Sequence, residues 1–202
     1  MTGKVLLSSA YMPPVEYFGC IGNSAEVFIE REENYIKQSY RNRCYILSSN
    51  GPQILTVPVC TGNHLKTPIK DIRIDYSKRW QQVHAGALRS SYNSSPYFMY
   101  YYDQMEGIMQ SNYKFLLDLN MDLLIAILGI LKLETKIRYT TCFKAVTKDK
   151  DDLRYTISPK ERSDYTHKEY PQVFGKQGRG FIPRLSILDL IFNMGPDSLK
   201  YI

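Results

Sequence analysis

Short apolar runs separated by turn-forming residues fill the first part of the chain. Lys4 to Ser9 predicts a short buried strand that ends before Pro13-Pro14. Val15 to Ile21 predicts a brief helix that ends at Gly22-Asn23, and Ala25 to Glu30 predicts a second strand. These runs place strands near the start of the chain.

A hairpin follows. Cys44 to Leu47 and Gln53 to Val59 flank Ser49-Asn50-Gly51, and Asn-Gly tolerates the positive φ that tight hairpin turns need. Further on, apolar residues at 72, 74 and 76 alternate with charged ones, which predicts a strand with one solvent-facing side.

The middle of the chain has helical spacing. One apolar stripe, predicted to form a helix face, consists of Trp80, Val83, His84, Ala87 and Leu88. Ser95 as cap and Pro96 in the first turn predict the start of a second helix, with a stripe of Phe98, Tyr101, Tyr102, Met105 and Met109. Phe115 to Leu131 is the most apolar segment, predicted to be the central core helix and to stop or bend near Gly129.

Regular secondary structure is predicted again in the last third of the sequence, on either side of a long polar stretch. Lys136 to Phe143 predicts a strand, and residues 144–180 are charged, poor in aliphatic residues and rich in turn formers. Such a long stretch without structure of its own predicts a lid or mobile loop. The last helix is predicted to start at Ser186, with Asp189 completing the cap, and to stop at Gly195-Pro196.

These elements predict a single domain over residues 1–202 of the α/β class, with α+β as the alternative. The expected architecture is a mixed sheet of N-terminal strands and hairpin, packed by a central block of helices. With 202 residues and 44% hydrophobic content, the chain can bury one ordinary core.

Charge favours a small anionic ligand over nucleic acid. The formal net charge is +6, but basic residues are interspersed with acids, as in Lys148-Asp149-Lys150. Nucleic-acid arms carry blocks of lysine and arginine, so no nucleic-acid partner is expected. A pocket for phosphate or carboxylate groups fits better.

Cysteine spacing and hydropathy indicate the cellular compartment of the protein. The four cysteines form no C-x-x-C pair, which favours reduced thiols in a cytoplasmic protein. The longest apolar run, Leu123 to Ile130, is far shorter than the roughly 20 residues that span a bilayer. The start of the chain has no signal-peptide pattern, so a cytoplasmic protein without a membrane span is expected. The sequence predicts no particular oligomeric state.

Aromatic rings lie beside basic or hydrogen-bonding groups in two polar segments, Tyr11 to Phe18 and Tyr35 to Arg43. Rings supply stacking surface, and lysine and arginine supply fixed positive charge. If the second segment is extended, Lys37 and Arg43 share a face with residues 39 and 41 and form an anion clamp. The alternative is a solvated face with ion pairs to Glu30, Glu32 or Glu33.

His84 allows two interpretations. On an apolar stripe it is either a buried, hydrogen-bonded histidine or a general base that deprotonates an amine or hydroxyl. A Cys60/His64 dyad has no orienting third group, and a metal site from Cys60, His64 and His84 lacks the close ligand pairs of structural zinc. No cofactor loop and no metal site are predicted.

Several motifs in order resemble the WbqC-like family of bacterial proteins. They are Tyr11-x-Pro13 with Tyr17-Phe18, Lys37 with Asn42-Arg43, Thr56-Val57-Pro58-Val59, Trp80 with His84, Tyr92 with Ser95-Pro96-Tyr97-Phe98, Leu119-Asn120, Tyr170-x-Gln172-x-Phe174, and Leu185 to Asn193 with Gly195. The resemblance covers nearly the whole chain. One departure is Ser8-Ser9, where many members carry glutamine and proline.

The resemblance implies a role in bacterial surface-polysaccharide or O-antigen (lipopolysaccharide) biosynthesis. It implies transfer of an acyl or aminoacyl group to an amino sugar, or assistance to it; the alternative is a non-catalytic ligand-binding or scaffold subunit. The site residues are then His84 as general base, and Tyr11, Tyr35, Lys37, Asn42, Arg43 and Tyr92 around an anionic substrate such as a nucleotide-sugar or carrier-bound thioester.

Overall fold

A computed structural model describes residues 3–60, 66–145, 151–175 and 180–202. Within these ranges the strands are β1 (Lys4–Ser8), β2 (Glu26–Glu30), β3 (Arg43–Ser48), β4 (Gly51–Thr56), β5 (Val59–Cys60), β6 (Arg73–Ile74) and β7 (Lys136–Tyr139). The helices are α1 (Val15–Gly22), α2 (Trp80–Tyr92), α3 (Phe98–Gln110), α4 (Leu116–Leu131) and α5 (Ile187–Met194). Two 3-10 helices cover Ile69–Asp71 and Gly195–Tyr201.

The first sheet is parallel, in the order β1-β2-β7. Val5 pairs with Val27, which pairs with Ile137, so one face of the sheet carries apolar side chains from all three strands. Val5, Val27 and their neighbours Leu7 and Ile29 are buried in the core. Glu26 and Lys136 fall on the opposite, outer face by alternation.

The hairpin and the short strands form two further sheets. β3 and β4 pair antiparallel, with Ser48 opposite Gly51, and Gly51 adopts a φ of 108°. β5 and β6 form a second antiparallel pair. The turn at Ser49-Asn50-Gly51 therefore lies where the sequence predicts it.

The helices form the other layer around α4. Its buried side includes Leu119, Leu123 and Ile127, and α3 packs against it. Lys132 caps the C-terminus in the left-handed conformation, with a φ of 54°. The predicted mixed α/β fold, with N-terminal strands, a hairpin and a block of helices, is confirmed, although the strands divide into three small sheets.

Two local predictions are wrong. Val83 is 62% exposed, because the buried face of α2 runs through Trp80, His84 and Leu88 at spacings of four. The Ser95 hydroxyl makes no hydrogen bond within the described residues, and α3 starts after Tyr97 instead of directly after a Ser95 cap.

The segment predicted as a lid is described in part. Residues 146–150 and 176–179 lie outside the described residues. Leu6 of β1 accepts from Leu153 and donates to the carbonyl of Asp151, so this stretch extends the β1 edge of the sheet. Its mobility stays a prediction. Within the described ranges, no helix combines the length and apolar character needed to cross a bilayer.

Candidate functional site

Polar side chains gather where β1, β2 and β7 end. Open parallel sheets usually bind ligands outside the carboxyl ends of their strands. Here Ser8 ends β1, Glu30 ends β2 and Thr140 follows β7. The Thr140 hydroxyl donates to Oε1 of Glu30 over 2.5 Å, which joins two neighbouring strand ends. We call the polar groups around these ends the strand-end site.

Arg41 and Glu33 form its first ion pair. Nε of Arg41 donates to Oε1 of Glu33 over 2.9 Å, and Nη2 donates to Oε2 over 2.6 Å. Nη2 also donates to the Ser8 hydroxyl over 2.7 Å. Both charged side chains are almost completely buried. Such bidentate pairing compensates two charges that burial would otherwise make costly.

Arg154 forms the second ion-pair group. Its guanidinium makes two hydrogen bonds to Asp152, at 2.8 and 2.6 Å, and Nη1 donates to Glu30 over 3.0 Å. The Lys144 carbonyl also accepts from Nη1, and the Arg154 carbonyl accepts from the Ser8 hydroxyl. Arg154 thus holds the segments around 144 and 152 against the ends of β1 and β2.

Tyr155 connects the two ion-pair groups. Its ring centroid lies 5.5 Å from the guanidinium carbon of Arg41 and 5.9 Å from that of Arg154. Burial and the Glu33 carboxylate raise the pKa of Tyr155, and the two guanidinium groups oppose this shift. The phenol is therefore a hydrogen-bond donor at neutral pH.

A cavity of about 490 Å³ lies on the outer face of the sheet, beside Arg154. Leu6 and Phe28 form its apolar floor. The charged and polar groups that line it are Lys4, Glu30, Arg138, Thr140, Thr141, Cys142, Lys144, Asp151 and Asp152. Its volume falls within the usual range for small-molecule sites, about 300–1,000 Å³.

The charges around this cavity are only partly paired. Lys4 and Arg138 share Glu26, at 3.4 and 2.7 Å. Within the described residues, the Lys144 ammonium and the Asp151 carboxylate take part in no ion pair, and both residues are exposed. The rim therefore offers one cation and one carboxylate to a ligand that carries both kinds of charge.

Tyr35 lies close to Arg43 and to Arg41 of the strand-end site. Burial raises the pKa of Tyr35, and the charges of Arg43 and Arg41 offset part of that rise. Arg43 Nε is buried without a hydrogen-bond partner among the described residues. Lys37 is exposed on a turn, with Gln38 at a φ of 59°. This segment is not extended, so residues 37 to 43 do not form the predicted single row.

Asn42 faces the protein interior. Its amide Nδ2 donates to the Val57 carbonyl over 2.8 Å, and the Val57 N–H donates back to the Asn42 carbonyl. Nearby, Asn120 donates to the Ser9 hydroxyl and to the Arg41 carbonyl, each over 2.8 Å. Asn42 therefore joins the residue before β3 to the residue after β4 at the open end of the hairpin.

Tyr11 and His84 form a buried pair. The Tyr11 hydroxyl lies 2.9 Å from Nδ1 of His84, and the Trp80 ring packs edge-on against the imidazole at 5.1 Å. His84 also hydrogen-bonds the Thr56 carbonyl. Burial lowers the pKa of His84 to about 4, so the ring is neutral at pH 7. This geometry supports the buried, hydrogen-bonded interpretation of His84.

Tyr92 belongs to a different network. Its hydroxyl accepts from the Leu47 N–H over 3.0 Å, and burial followed by the Asp189 carboxylate raises the pKa of Tyr92. Oδ2 of Asp189 accepts from Tyr170 over 2.8 Å and from Gln172 over 3.0 Å. Burial raises the pKa of Asp189 to about 6.

The predicted capping role of Asp189 is wrong. The Ser186 hydroxyl does cap α5 by accepting from the Leu188 N–H, as predicted. The Ser186 N–H, however, donates to the Tyr45 carbonyl, so Asp189 is free to join Tyr170 inside the protein.

The seven predicted site residues thus fall into three groups. Tyr35 lies close to Arg43 and Arg41, and Lys37 is exposed on the turn that follows Tyr35. Tyr11 and His84 pair in the core, and Asn42 and Tyr92 each hydrogen-bond to the backbone. Thr56, which pairs with Arg43 and bonds to His84, links the first two groups. Neither the cavity beside Arg154 nor a smaller one near Tyr40 is lined by any of the seven.

Sequence reasoning missed Arg154, Tyr155 and the cavity. Arg154 lies in a stretch whose charge and turn formers predict a loop, and its partner Glu30 is 124 positions away. The sequence signal that could have indicated this site is the adjacent pair of a basic and an aromatic residue, Arg154 and Tyr155. His64 of the Cys60/His64 dyad lies outside the described residues. Within the described ranges, no group of three or more histidine, cysteine or acidic side chains could hold a metal ion.

Comparison with known proteins identifies the family. The sequence model of the WbqC-like protein family matches residues 8–165 and 160–201. The chain belongs to the WbqC-like protein family. The uncharacterized protein Rv1507c of Mycobacterium tuberculosis is 29% identical over 233 aligned residues, which cover 100% of this chain and 99% of that protein. No solved structure matches this WbqC-like chain.

Proposed function

We propose that this WbqC-like protein binds an amino-sugar derivative in the cavity at the strand-end site and takes part in adding an acyl or aminoacyl group to it, as a step in bacterial surface-polysaccharide or O-antigen biosynthesis. The observation that carries this proposal is the mixed charge of the cavity rim. Asp151 can accept from an ammonium group, and Lys144 can bind a phosphate or carboxylate. A nucleotide-linked amino sugar carries both groups.

The cavity also offers a surface for a sugar ring. Phe28 is half-buried on the floor, and Thr140 and Thr141 line the same cavity. Aromatic rings and hydroxyl groups together suit a ligand with apolar and polar faces. Arg41 and Arg154 are already paired with carboxylates inside the protein. These two arginines therefore shape the site and do not bind the ligand directly.

The chemistry under test is amide formation. The sugar ammonium first loses one proton to solvent, and the neutral amine nitrogen then attacks the carbonyl carbon of a thioester. The C–N bond forms as the C–S bond breaks, and a second amine proton passes to the departing thiolate. The protein's contribution in this proposal is to bind the two reactants in the correct relative geometry.

Mass spectrometry tests this proposal. Purified protein is mixed with nucleotide-linked amino sugars and acyl or aminoacyl thioesters, and the sugar should gain the mass of the acyl group. Lys144→Met and Asp151→Asn should each lower the rate about tenfold, since each removes a charge-assisted hydrogen bond. Lys160→Met, at an exposed residue that does not line the cavity, is the matched control. Equal rates in all three variants would contradict the proposal.

One observation favours a second function, a non-catalytic ligand-binding or scaffold subunit. His84, the base that the sequence predicts, is buried, and its ring hydrogen-bonds Tyr11 and Thr56. In that case nucleotide-linked amino sugars should raise the melting temperature of the protein without any gain in sugar mass, and Asp151→Asn should reduce that increase.

A further inference from the structure

α4 is buried on all sides except for one stripe. Its exposed positions recur every three or four residues, so they share one face of the helix. Together with the residue that caps the helix, they are Asp118, Asp122, Ile125, Gly129 and Lys132. The central helix of the fold thus reaches the surface along a single line.

The middle of this stripe is apolar. Ile125 is 58% exposed, and it borders a groove of about 600 Å³ between α4 and β7. Leu128, Leu133 and Ile137 continue the apolar lining of that groove. Gly129 lies on the same groove, and a Cβ at that position would meet no atom within 4 Å, so another backbone can approach closely. An apolar groove beside an exposed isoleucine is the usual character of an interface.

The outermost charges of the stripe, Asp118 and Lys132, flank Ile125 symmetrically, whereas Asp122 accepts a hydrogen bond from the Tyr113 hydroxyl. Asp118 lies seven residues before Ile125 and Lys132 seven residues after it, which is two helical turns on either side. Within the described residues, neither Asp118 nor Lys132 takes part in an ion pair, although Asp118 has a second carboxylate, Asp122, close by. One end of the stripe is acidic and the other is basic.

We propose that two copies of this chain associate through the exposed face of α4, with a two-fold axis at Ile125. The two helices run antiparallel, so that Ile125 contacts the same residue of the second copy. Asp118 of each copy then faces Lys132 of the other, so this ion pair occurs twice. Gly129 allows the helices to approach, and the apolar groove beside β7 is covered. This proposal is independent of the function proposed for the cavity.

Sedimentation velocity of the full chain over a concentration series tests it. The wild type should dimerise. Ile125→Glu should raise the dimer dissociation constant by about 100-fold, because two carboxylates would meet at the axis. Val83→Glu is the matched control: Val83 is equally exposed on α2, away from the stripe, and its variant should dimerise as the wild type does.

Charge reversal tests the antiparallel arrangement. Asp118→Lys or Lys132→Glu alone should raise the dissociation constant about tenfold, because each places two like-charge pairs in the interface. The double variant should recover affinity close to that of the wild type. A wild type that stays monomeric, an Ile125→Glu variant that dimerises as well as Val83→Glu, or a double variant weaker than both single variants would each overturn the proposal.

Discussion

Nδ1 of His84 lies 2.9 Å from the phenol oxygen of Tyr11, and both side chains are buried in the core. The Thr56 carbonyl accepts a hydrogen bond from the same imidazole. A neutral ring has one donor nitrogen and one acceptor nitrogen, so donating to Thr56 leaves Nδ1 to accept from Tyr11. This arrangement stabilises one neutral tautomer inside the protein.

The buried imidazole predicts a loss of stability in acid. The pKa of His84 is about 4 in the folded protein and about 6.5 in an unfolded chain. Between these values the unfolded state binds more protons, so stability falls as the pH drops from about 6.5 towards 4, by about 3 kcal/mol in all. Urea unfolding of the wild type and of His84→Leu at several pH values measures this contribution as their difference.

The difference in unfolding free energy between the wild type and His84→Leu should shrink as the pH is lowered from 7 to 4. If it stays constant over this range, His84 is not buried and neutral as described. At pH 7, His84→Leu should also leave the Tyr11 hydroxyl with only a weak contact, to Met109 sulfur at 3.4 Å, and should lower the melting temperature. An unchanged melting temperature with lost activity would instead favour the general-base role.

Asp189 should have the opposite pH dependence. Burial raises its pKa from 3.8 to about 6, so the folded state binds more protons than the unfolded state between these values. Stability from this group is present below about pH 4 and is lost as the pH rises through 6, by about 3 kcal/mol. The stability of Asp189→Asn relative to the wild type should therefore increase between pH 4 and pH 7 in the same unfolding experiment. A relative stability that is flat or decreases with pH would contradict the described burial of Asp189.

The Arg41–Glu33 pair predicts a strong asymmetry between single and double variants. Glu33→Gln leaves a buried guanidinium without its counter-charge and should cost about 3–5 kcal/mol of unfolding free energy. The double variant Arg41→Met with Glu33→Leu should be more stable than Glu33→Gln, because no charge remains unpaired. The exposed ion pair between Lys200 and Asp197 is the control: Asp197→Asn should leave the unfolding midpoint unchanged. If Glu33→Gln also leaves it unchanged, the buried pair does not form.

Local sequence patterns predict most of the elements but few of the functional contacts. The Asn50-Gly51 turn, the apolar α4 and the Ser186 cap depend on neighbouring residues, and all three are confirmed. Glu30 and Arg154 are 124 positions apart, and no periodicity reports their contact. Asp189 shows the same limit: its position suits a helix cap, yet tertiary contact with Tyr170 decides its role.

The basic segment after Tyr35 shows why a candidate site is harder to predict than a strand. Lys37, Arg41 and Arg43 lie two to six positions apart, at even spacings that an extended chain would align. The turn at Gln38, with a φ of 59°, separates them instead. Arg41 is buried with Glu33, Arg43 is half-buried near Tyr35, and Lys37 is exposed. The turns at residues 37–38 and 40–41 thus decide which side chains can act together.

Thiol labelling tests most directly whether a ligand occupies the cavity. Cys142 lines the cavity and is exposed, whereas the exposed Cys60 does not line it and serves as an internal control. Alkylation of both thiols is followed by peptide mass spectrometry, with and without a nucleotide-linked amino sugar. The ligand should slow labelling of Cys142 several-fold and leave labelling of Cys60 unchanged, and Asp151→Asn should weaken this protection. Equal labelling of Cys142 with and without saturating ligand would contradict ligand binding in the cavity.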